Sequence, residues 1–377
     1  MKILLNGLAV GYPISGVGRY TVRLSKGLEA LLGPGRIQWF GKDPFGKPVE
    51  VSPEDGGRSI DQVQYRLKNH LRVFPGLKSM IHNWRDHQFQ HCVRKIKPSL
   101  YHETNYVPFN FPDGPTVVTI HDLSVLRYPQ WHPEDRVKYF KKYFFKQLPQ
   151  AQAIITVSEF SKNEILDLLD IKSERVYVTA LGVDRSFNPG KSQLKGFSPQ
   201  YVLFLGNLEP RKNLKTLLAA YQSLPREIQN RNPLVIAGAE AWGTRDVKRG
   251  CRNFDETGKV ILTGYFPQKS LPDLYRGASL FVYPSFYEGF GLPVLEAMAS
   301  GVPVIASNAA SLPEVVGDAG IVVNPYDADE LREAMVRILD SETMRKELME
   351  KGLARAEHFS WEKCAKETLA IYKKVLG

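Results

Sequence analysis

Residues 283–304, YPSFYEGFGLPVLEAMASGVPV, carry the strongest structural signal in this chain. The Gly-Phe-Gly-Leu-Pro turn should open a helix, because the fixed φ of Pro293 suits the first helical position and its missing N–H would have no partner there. Gly289 and Gly291 leave the backbone bare just upstream. Free N–H groups and the positive end of the helix dipole then face outward together, so the turn predicts an anion site that fits a pyrophosphate.

Two glutamates lie on either side of this turn. Glu288 precedes the predicted helix, whereas Glu296 lies about one turn inside it. The two carboxylates are therefore too far apart to share one proton or one metal ion, and they would reach groups on opposite sides of a bound phosphate. That layout fits a nucleotide-sugar; an ordinary strand, loop and helix with solvated glutamates is the alternative.

The segment closely resembles the EGFGLPxLEAMAxGxPV signature of the GT4 family of retaining, GT-B-fold glycosyltransferases. The resemblance implies that Glu288 bonds hydroxyls of the transferred sugar and that Glu296 holds the ribose hydroxyls of the nucleotide. It also implies that the sugar and phosphate are approached by the backbone of Gly289, Phe290, Gly291 and Leu292.

Length and composition limit the class of protein to which this chain can belong. A chain of 377 residues is too long for one ordinary core, and its 43% hydrophobic and 24% charged residues describe a soluble globular protein. No apolar run approaches the ~18 residues needed to span a bilayer, and the N-terminus does not read as a signal peptide. The cysteines are widely spaced and fit no metal pattern, which favours a reduced, cytoplasmic compartment; they are Cys92, Cys251 and Cys364.

The net charge of +10 falls mainly on the first half of the chain. Residues 136–150, RVKYFKKYFFKQLPQ, carry five bases and no acid, and residues 65–98 carry eight bases against one acid. A basic amphipathic helix can lie on an anionic membrane, so we expect a peripheral protein on the inner face of the cytoplasmic membrane. The alternative is that these aromatic side chains face the core. No nucleic-acid-binding motif accompanies the charge.

Both halves alternate short apolar runs with helical patterns, as doubly wound α/β domains do. Residues 188–199, rich in Pro, Gly and Ser, predict a linker. The resemblance implies a GT-B fold of two Rossmann-like domains facing one another across a cleft. We expect an acceptor-binding domain over residues 1–190, a nucleotide-sugar-binding domain over residues 191–359, and a final helix over residues 360–377 that crosses back to the first domain.

GNLEPRKNL, residues 206–214, lies between a predicted strand and a predicted helix. Arg211 and Lys212 at this position could neutralise two phosphate charges and stabilise a leaving diphosphate. The segment looks like the Gly-Arg-Leu-x-x-x-Lys-Asn element of the family, except that Asn207 stands where many relatives carry arginine. A solvated pair of cations at a helix start is the alternative.

SGVGRYT, residues 15–21, is a second glycine-rich turn, after the first predicted strand. It lacks the third glycine of a dinucleotide fingerprint and the acid some 20 residues on, so a dehydrogenase is not indicated. The family has a comparable loop, by which Gly16 and Gly18 would bring the backbone close to the donor. A purely structural turn is the alternative.

TIHDLSVL, residues 119–126, places His121 and Asp122 at the end of a predicted strand, where α/β sheets present ligand groups. The resemblance suggests that His121 contacts the donor sugar and supports charge at the reacting carbon; a structural histidine is the alternative. Asp122 is a candidate acceptor contact. Further candidates lie at the end of another predicted strand on the same edge, namely His102, Glu103 and Asn105.

Two other segments complete the prediction. LTGYFP, residues 262–267, resembles the family segment beside the nucleobase, with Tyr265 or Phe266 packing on the base; either ring could equally belong to the core. Asp327 and Asp329 have the spacing of an Asp-x-Asp metal motif, but helix capping and dipole placement explain them, and the predicted enzyme needs no metal and no cofactor.

The resulting hypothesis is a hexosyltransferase with catalytic roles for His121, Arg211, Lys212 and Glu288. The stretch HDLSVLRYPQWHP together with EPRKN looks like bacterial mannosyltransferases that build O-antigen or exopolysaccharide on lipid carriers. GDP-mannose is the expected donor, with UDP-glucose and GDP-fucose as alternatives, and the expected acceptor is a glycan or a polyprenyl-diphosphate-linked glycan. A non-catalytic sugar-nucleotide-binding module and an epimerase are the rival readings.

Overall fold

The computed structural model describes residues 1–11, 14–41, 77–194, 196–197, 200–240 and 259–377. The chain divides into two compact units. Unit 1 comprises Met1–Val157, Lys162–Thr179 and Trp361–Gly377. Unit 2 comprises Ser158–Ser161 and Ala180–Ser360.

Unit 1 is built on a six-stranded parallel sheet with the strand order β2-β1-β3-β4-β5-β6. Its strands are β1 (Ile3–Asn6), β2 (Ile37–Phe40), β3 (Leu100–Glu103), β4 (Thr116–Thr119), β5 (Ala151–Thr156) and β6 (Val176–Val178). The accompanying helices are α1 (Gly16–Leu32), α2 (Leu77–Ile96), α3 (Ser124–Arg127), α4 (Glu134–Gln147) and α5 (Glu159–Leu168). Most strand residues are buried, as expected of a parallel sheet covered on both faces.

Unit 2 has its own six-stranded parallel sheet, with the strand order β12-β11-β10-β7-β8-β9. Its strands are β7 (Val202–Leu205), β8 (Leu234–Ala237), β9 (Val260–Gly264), β10 (Leu280–Tyr283), β11 (Val304–Ser307) and β12 (Ile321–Val323). Its helices are α6 (Leu214–Gln222), α7 (Arg226–Arg231), α8 (Leu271–Arg276), α9 (Leu292–Ala299), α10 (Leu312–Val316), α11 (Ala328–Leu339) and α12 (Glu342–Ala356).

The last helix, α13 (Trp361–Leu376), belongs to unit 1 and packs on α1. The two helices approach closely at Gly27, where an added Cβ would lie 2.6 Å from Cβ of Ala365. The thiol of Cys364 is buried next to the hydroxyl of Thr179, with Sγ and Oγ1 4.0 Å apart. The predicted return of the final helix to the first half of the chain is thereby confirmed.

The segment predicted as a linker lies in unit 2 together with the residues from Ala180 onward. Arg276 of α8 explains its position, because the guanidinium donates to the carbonyl of Ser186 at 3.0 Å and to the carbonyl of Asn188 at 2.9 Å. The boundary between the units therefore precedes residue 190.

Two predicted elements differ from the observed ones. The glycine-rich turn is the first turn of α1, because Ser15 caps the helix by accepting a hydrogen bond from the N–H of Gly18 at 3.2 Å. The strand predicted to reach His121 ends at Thr119. Of the basic segment over residues 65–98, the part before residue 77 lies outside the described residues, as does Cys251.

Candidate active site

Two loops of unit 2 leave the same edge of its sheet. One follows β7 and the other follows β10, which are neighbouring parallel strands. The backbone N–H of Phe286 donates to the carbonyl of Arg211 at 2.8 Å. Asn213, which adopts a left-handed conformation at φ 56°, donates from its side chain to the carbonyl of Pro284 at 3.0 Å. These bonds fix the predicted phosphate-binding residues against the loop that carries Glu288.

Glu288, Arg211 and Lys212 form one buried ion cluster. Oε2 of Glu288 lies 3.0 Å from Nη1 of Arg211, and Oε1 lies 2.5 Å from Nζ of Lys212. The ammonium of Lys212 also donates to the hydroxyl of Tyr283 at 2.7 Å. Glu288 and Lys212 are only 7% and 5% exposed. Three residues that the sequence assigned to one site are thus in direct contact.

The charged groups of this cluster shift one another's pKa values. Burial raises the pKa of Glu288, but Arg211 and Lys212 outweigh burial and hold that pKa at about 2. Burial, followed by the charge of Arg211, lowers the pKa of Lys212, while Glu288 opposes that shift. A carboxylate between two cations is the arrangement that keeps all three groups charged in a buried place.

The predicted role of Glu288 in binding sugar hydroxyls stays a prediction. Both of its carboxylate oxygens accept bonds from cations here. A phosphate that bound Arg211 and Lys212 would take over these bonds and leave Glu288 able to accept from a hydroxyl.

The turn before α9 has its carbonyl groups tied to serine hydroxyls. Ser158 donates to the carbonyl of Gly289 at 2.7 Å, and Ser311 lies 2.9 Å from the carbonyl oxygens of both Glu288 and Phe290. Gly291 adopts φ 121°, and a Cβ there would meet Leu312 at 2.7 Å. Within the described part of the chain, none of the backbone N–H groups of residues 289–292 has an acceptor. This geometry agrees with an anion site formed by N–H groups.

Glu296 lies on α9, about one turn inside the helix as predicted. Its side chain is buried, and Tyr275 of α8 donates to Oε2 at 3.1 Å. The ribose-binding role of Glu296 stays a prediction, and Tyr275 is an orienting partner that the sequence pattern did not indicate.

The two aromatic residues predicted near the nucleobase differ in exposure. Tyr265 follows β9 and is 41% exposed. Phe266 is half-buried and packs edge-on against Phe197, with ring centroids 6.2 Å apart. Tyr265 is therefore the better placed of the two to present a ring face to a base.

His121 lies in unit 1, in the loop after β4. Its Nε2 bonds the carbonyl of Thr104 at 2.9 Å, so this nitrogen carries the proton and donates. The ring of Tyr20 packs edge-on against the imidazole at a centroid distance of 4.9 Å. Burial lowers the pKa of His121, which makes it a neutral imidazole at pH 7.

His102 and Glu103 are more deeply placed than an acceptor contact requires. The imidazole of His102 is fully buried, with Nδ1 2.5 Å from the hydroxyl of Tyr372 and Nε2 2.7 Å from that of Thr119. Glu103 is 1% exposed and accepts from the hydroxyl of Tyr101 at 2.7 Å. The structure favours a role within the fold for both, because tertiary partners occupy the groups that would face a ligand.

The remaining predicted residues of unit 1 are less enclosed. Asn105 is half-buried, and its backbone N–H donates to Glu103 at 2.9 Å. Asp122 is half-buried, and its Oδ1 accepts hydrogen bonds from the backbone N–H and the hydroxyl of Ser124 at 2.9 and 2.7 Å. Gly18 lies in the first turn of α1, where a Cβ would meet Ile14 at 2.9 Å. Acceptor or donor contacts of these residues stay predictions.

Sequence reasoning missed Glu209, which pairs with the guanidinium of Arg211. The sequence feature that could have identified Glu209 is the acid two residues before Arg211 in EPRKN. It also missed Tyr283 and the serines that hold the turn, which could be found only from the folded arrangement.

Asp327 behaves as a helix cap. Its side chain accepts from the backbone N–H groups of Asp329 and Glu330 at 3.0 and 2.9 Å. Among the residues with described positions, no group of three metal-ligating side chains is present. The capping interpretation is confirmed.

The comparisons with known proteins agree with this geometry. Residues 14–187 match Glycosyltransferase Family 4, and residues 190–355 match Glycosyl transferases group 1. O-antigen chain mannosyltransferase B of Escherichia coli is 37% identical over 390 residues, covering 99% of this chain and 100% of the relative. MMP alpha-(1->4)-mannosyltransferase of Mycolicibacterium hassiacum is 33% identical over 239 residues, covering 62% of this chain and 56% of that protein.

Solved structures share the fold over nearly the whole chain. Sucrose-phosphate synthase from Thermosynechococcus elongatus has a TM-score of 0.76 at 23% identity, with 99% of each chain covered. WaaG, a glycosyltransferase involved in lipopolysaccharide biosynthesis, has a TM-score of 0.69 at 15% identity, with 98% of this chain and 99% of that chain covered.

Fold and sequence likeness together define a glycosyltransferase with the GT-B fold. More narrowly, the chain belongs to the GT4 family of retaining glycosyltransferases. The family and fold class predicted from residues 283–304 are confirmed.

Proposed function

We propose that the protein transfers mannose from GDP-mannose to a hydroxyl group of a growing O-antigen chain, with retention of the anomeric configuration. The choice of sugar and acceptor is supported by the full-length likeness to a protein named O-antigen chain mannosyltransferase B. The observation that carries the donor site is the contact of Glu288 with Arg211 and Lys212, beside a turn whose N–H groups lack acceptors among the described residues.

Donor binding would proceed by an exchange of anions. Arg211 and Lys212 are both paired with a carboxylate before the donor arrives, so neither cation is buried without an anionic partner. The diphosphate would replace Glu288 as the partner of the two cations. Glu288 would then accept a hydrogen bond from a sugar hydroxyl, which couples phosphate recognition to sugar recognition.

The reaction itself breaks the bond between the anomeric carbon and the diphosphate oxygen. Arg211 and Lys212 would stabilise the negative charge that develops on the leaving diphosphate. The acceptor hydroxyl oxygen forms the new bond to the anomeric carbon on the same face, and its proton passes to an oxygen of the leaving phosphate. Because the phosphate accepts this proton, no additional carboxylate base is required.

The test is a donor panel of GDP-mannose, GDP-fucose and UDP-glucose, each with and without a mannose-terminated oligosaccharide acceptor. GDP-mannose should give an acceptor-dependent release of GDP and a product heavier by one hexose, with an α linkage. The donor that reacts should also raise the melting temperature. Stabilisation by a donor without any transfer or hydrolysis would identify a sugar-nucleotide-binding module instead, and preference for another donor would overturn the assignment of mannose.

We also propose that one surface of unit 1 rests on an anionic membrane. The aromatic residues of α4 are largely in the core, since Phe140 and Phe144 are buried. The α4 helix alone therefore does not present the membrane-facing apolar surface expected from its sequence. The exposed apolar side chains lie instead on α2, where Met80 is 70% and Trp84 is 60% exposed, and at Phe145 of α4.

The two helices meet at His82, whose ring packs on Tyr143 at a centroid distance of 3.9 Å. Burial lowers the pKa of His82, Asp86 opposes that shift, and the bases Arg85, Lys142 and Lys146 lie close enough to lower the pKa further. Exposed apolar side chains on two helices that also carry bases fit an anionic lipid surface. No helix in the described ranges is long and apolar enough to cross a membrane.

Flotation with vesicles containing phosphatidylglycerol tests this surface. Binding should be lost in 0.5 M salt and should weaken in W84S/M80S, whereas neutral vesicles should not bind. A matched control is Y326S, because Tyr326 is a 79% exposed apolar residue of unit 2. Unchanged flotation of W84S/M80S would contradict the proposal.

A further inference from the structure

Glu209 is a buried carboxylate beside the phosphate-binding residues, and the donor chemistry described above does not use it. Its side chain is 7% exposed, and Oε1 lies 2.6 Å from Nε of Arg211. Arg211 is thus held at two edges of its guanidinium, by Glu209 at Nε and by Glu288 at Nη1. The carbonyl of Tyr287 adds a third bond to Nη1 at 3.1 Å.

The backbone that carries Glu209 is fixed more tightly than the arginine it holds. The N–H groups of Gly206 and Leu208 donate to the carbonyls of Ala237 and Ala239, both at 2.9 Å. At Gly238, with φ 153°, an added Cβ would lie 1.9 Å from the carbonyl oxygen of Gly206. Two backbones in such close contact leave the loop little freedom, whereas the long side chain of Arg211 has many rotamers of its own.

The two carboxylates that hold Arg211 would behave differently when a donor binds. Glu288 is the partner that a diphosphate replaces, according to the proposed function. Glu209 contacts the opposite edge of the guanidinium, at Nε, and its bond can persist after Glu288 has been displaced. Without Glu209, the guanidinium would lose its fixed carboxylate partner when the diphosphate displaces Glu288.

We propose that Glu209 is a positioning residue, which holds the guanidinium of Arg211 in the orientation that binds the donor diphosphate. This inference rests on the proposed function, since it takes the diphosphate as the ligand of Arg211. Glu209 acts through Arg211 and has no contact of its own with the substrate. A misplacement of about 1 Å at such a group costs on the order of 100-fold in rate.

The test uses the full-length protein and GDP binding measured by calorimetry, which does not require activity. E209A should weaken GDP binding about tenfold, whereas E209Q should stay within threefold of wild type, because a glutamine Oε1 can accept the same bond from Nε. R211A should weaken binding at least tenfold. Because Glu209 acts through Arg211, the double variant E209A/R211A should bind GDP within twofold of R211A.

D340A is the matched control. Asp340 also pairs with an arginine of unit 2, Arg231 at 2.9 Å, and removing it changes the net charge equally. D340A should bind GDP like wild type. A full tenfold loss from E209A in the R211A background would overturn the inference, and so would wild-type affinity in E209A or an E209Q defect equal to that of E209A. Absence of GDP binding by the wild type would count against the proposed donor, not against Glu209.

Discussion

Glu103 ends strand β3 and Glu288 lies in the loop after β10, yet their surroundings shift the pKa values of these two buried carboxyl groups in opposite directions. Glu288 contacts Arg211 and Lys212, and its pKa is held at about 2 despite the opposing effect of burial. Burial raises the pKa of Glu103 to about 7, and the hydrogen bonds it accepts offset this only in part.

The donors around Glu103 explain the difference. They are neutral groups, namely the hydroxyl of Tyr101, the side-chain amide of Asn6 and the backbone N–H of Asn105. Neutral donors offset the loss of water only partly, whereas two cations more than offset it. The contrast indicates that unit 2 keeps its buried cluster charged, while unit 1 keeps a polar network close to neutral.

The largest effect is expected from removing a cation. K212M leaves two buried carboxylates, Glu209 and Glu288, sharing the guanidinium of Arg211. One buried negative charge is then uncompensated, which should cost about 3–5 kcal/mol of unfolding free energy in urea titrations. The control is K138M, which breaks the exposed pair of Lys138 with Glu134 at 2.6 Å. That pair should be worth less than about 0.5 kcal/mol. Equal losses of unfolding free energy in K212M and K138M would contradict the expected difference between the buried cluster and an exposed ion pair.

The same substitution at each glutamate should separate their roles. E288Q removes a charge that the site uses, and kcat/KM should fall about 100-fold. E103Q replaces a carboxyl group that is about half protonated at pH 7, so kcat/KM should stay within about threefold. Steady-state kinetics with GDP-mannose would decide, and a comparable loss from both variants would remove the distinction between them.

Stability as a function of pH sharpens the comparison further. The folded pKa of Glu103 is raised above its unfolded value of 4.5 to about 7, so the folded state holds its proton more tightly and the stabilisation is lost as pH rises through this window. Between pH 5 and 7 that loss should be about 2 kcal/mol. Glu288 has the opposite shift, so its contribution is complete above pH 4.5 and is lost towards pH 2.

Melting curves of E103Q and wild type at pH 5, 6 and 7 measure this directly. The difference between them should change steadily with pH, with E103Q relatively more stable at pH 7. E288Q should not remove the pH dependence in this range. A constant difference between E103Q and wild type would show that Glu103 does not titrate there.

The smallest effect is expected at an exposed carboxylate. D327A removes the cap of α11 and should cost about 1 kcal/mol with no change in kcat/KM. Chelation with EDTA should leave the activities of wild type and D327A equal, because we predict no metal at Asp327. A loss of activity on chelation that D327A abolishes would reverse this assignment.

The charged site was the more predictable of the two regions. Arg211, Lys212 and Glu288 belong to local motifs after strands, and parallel neighbouring strands bring such motifs to one edge. Glu209 was missed because an acid two residues before a base in the sequence does not show which of the two side chains faces the ligand. Its role depends on Gly238 allowing two loops to touch, a contact that no local pattern reports.

The neutral network was predicted only in outline. A position after a strand indicates the edge of the sheet, but not how deeply the side chain lies. His102 is enclosed because Tyr372, 270 positions later in the chain, bonds its imidazole. Gly16 and Gly18 were expected in a loop, yet the cap at Ser15 lets the helix begin at Gly16. Tertiary partners and capping decided both positions.

Burial of Cys364 raises the pKa of its thiol to about 12, so hardly any thiolate exists at neutral pH. Alkylating reagents react with the thiolate, and they can reach this sulfur only after α13 lifts away from α1. In a variant with Cys92 and Cys251 replaced by serine, the rate of modification at Cys364 would therefore count how often the C-terminal helix detaches. The modification rate of this buried thiol is thus a direct measure of the opening rate of α13.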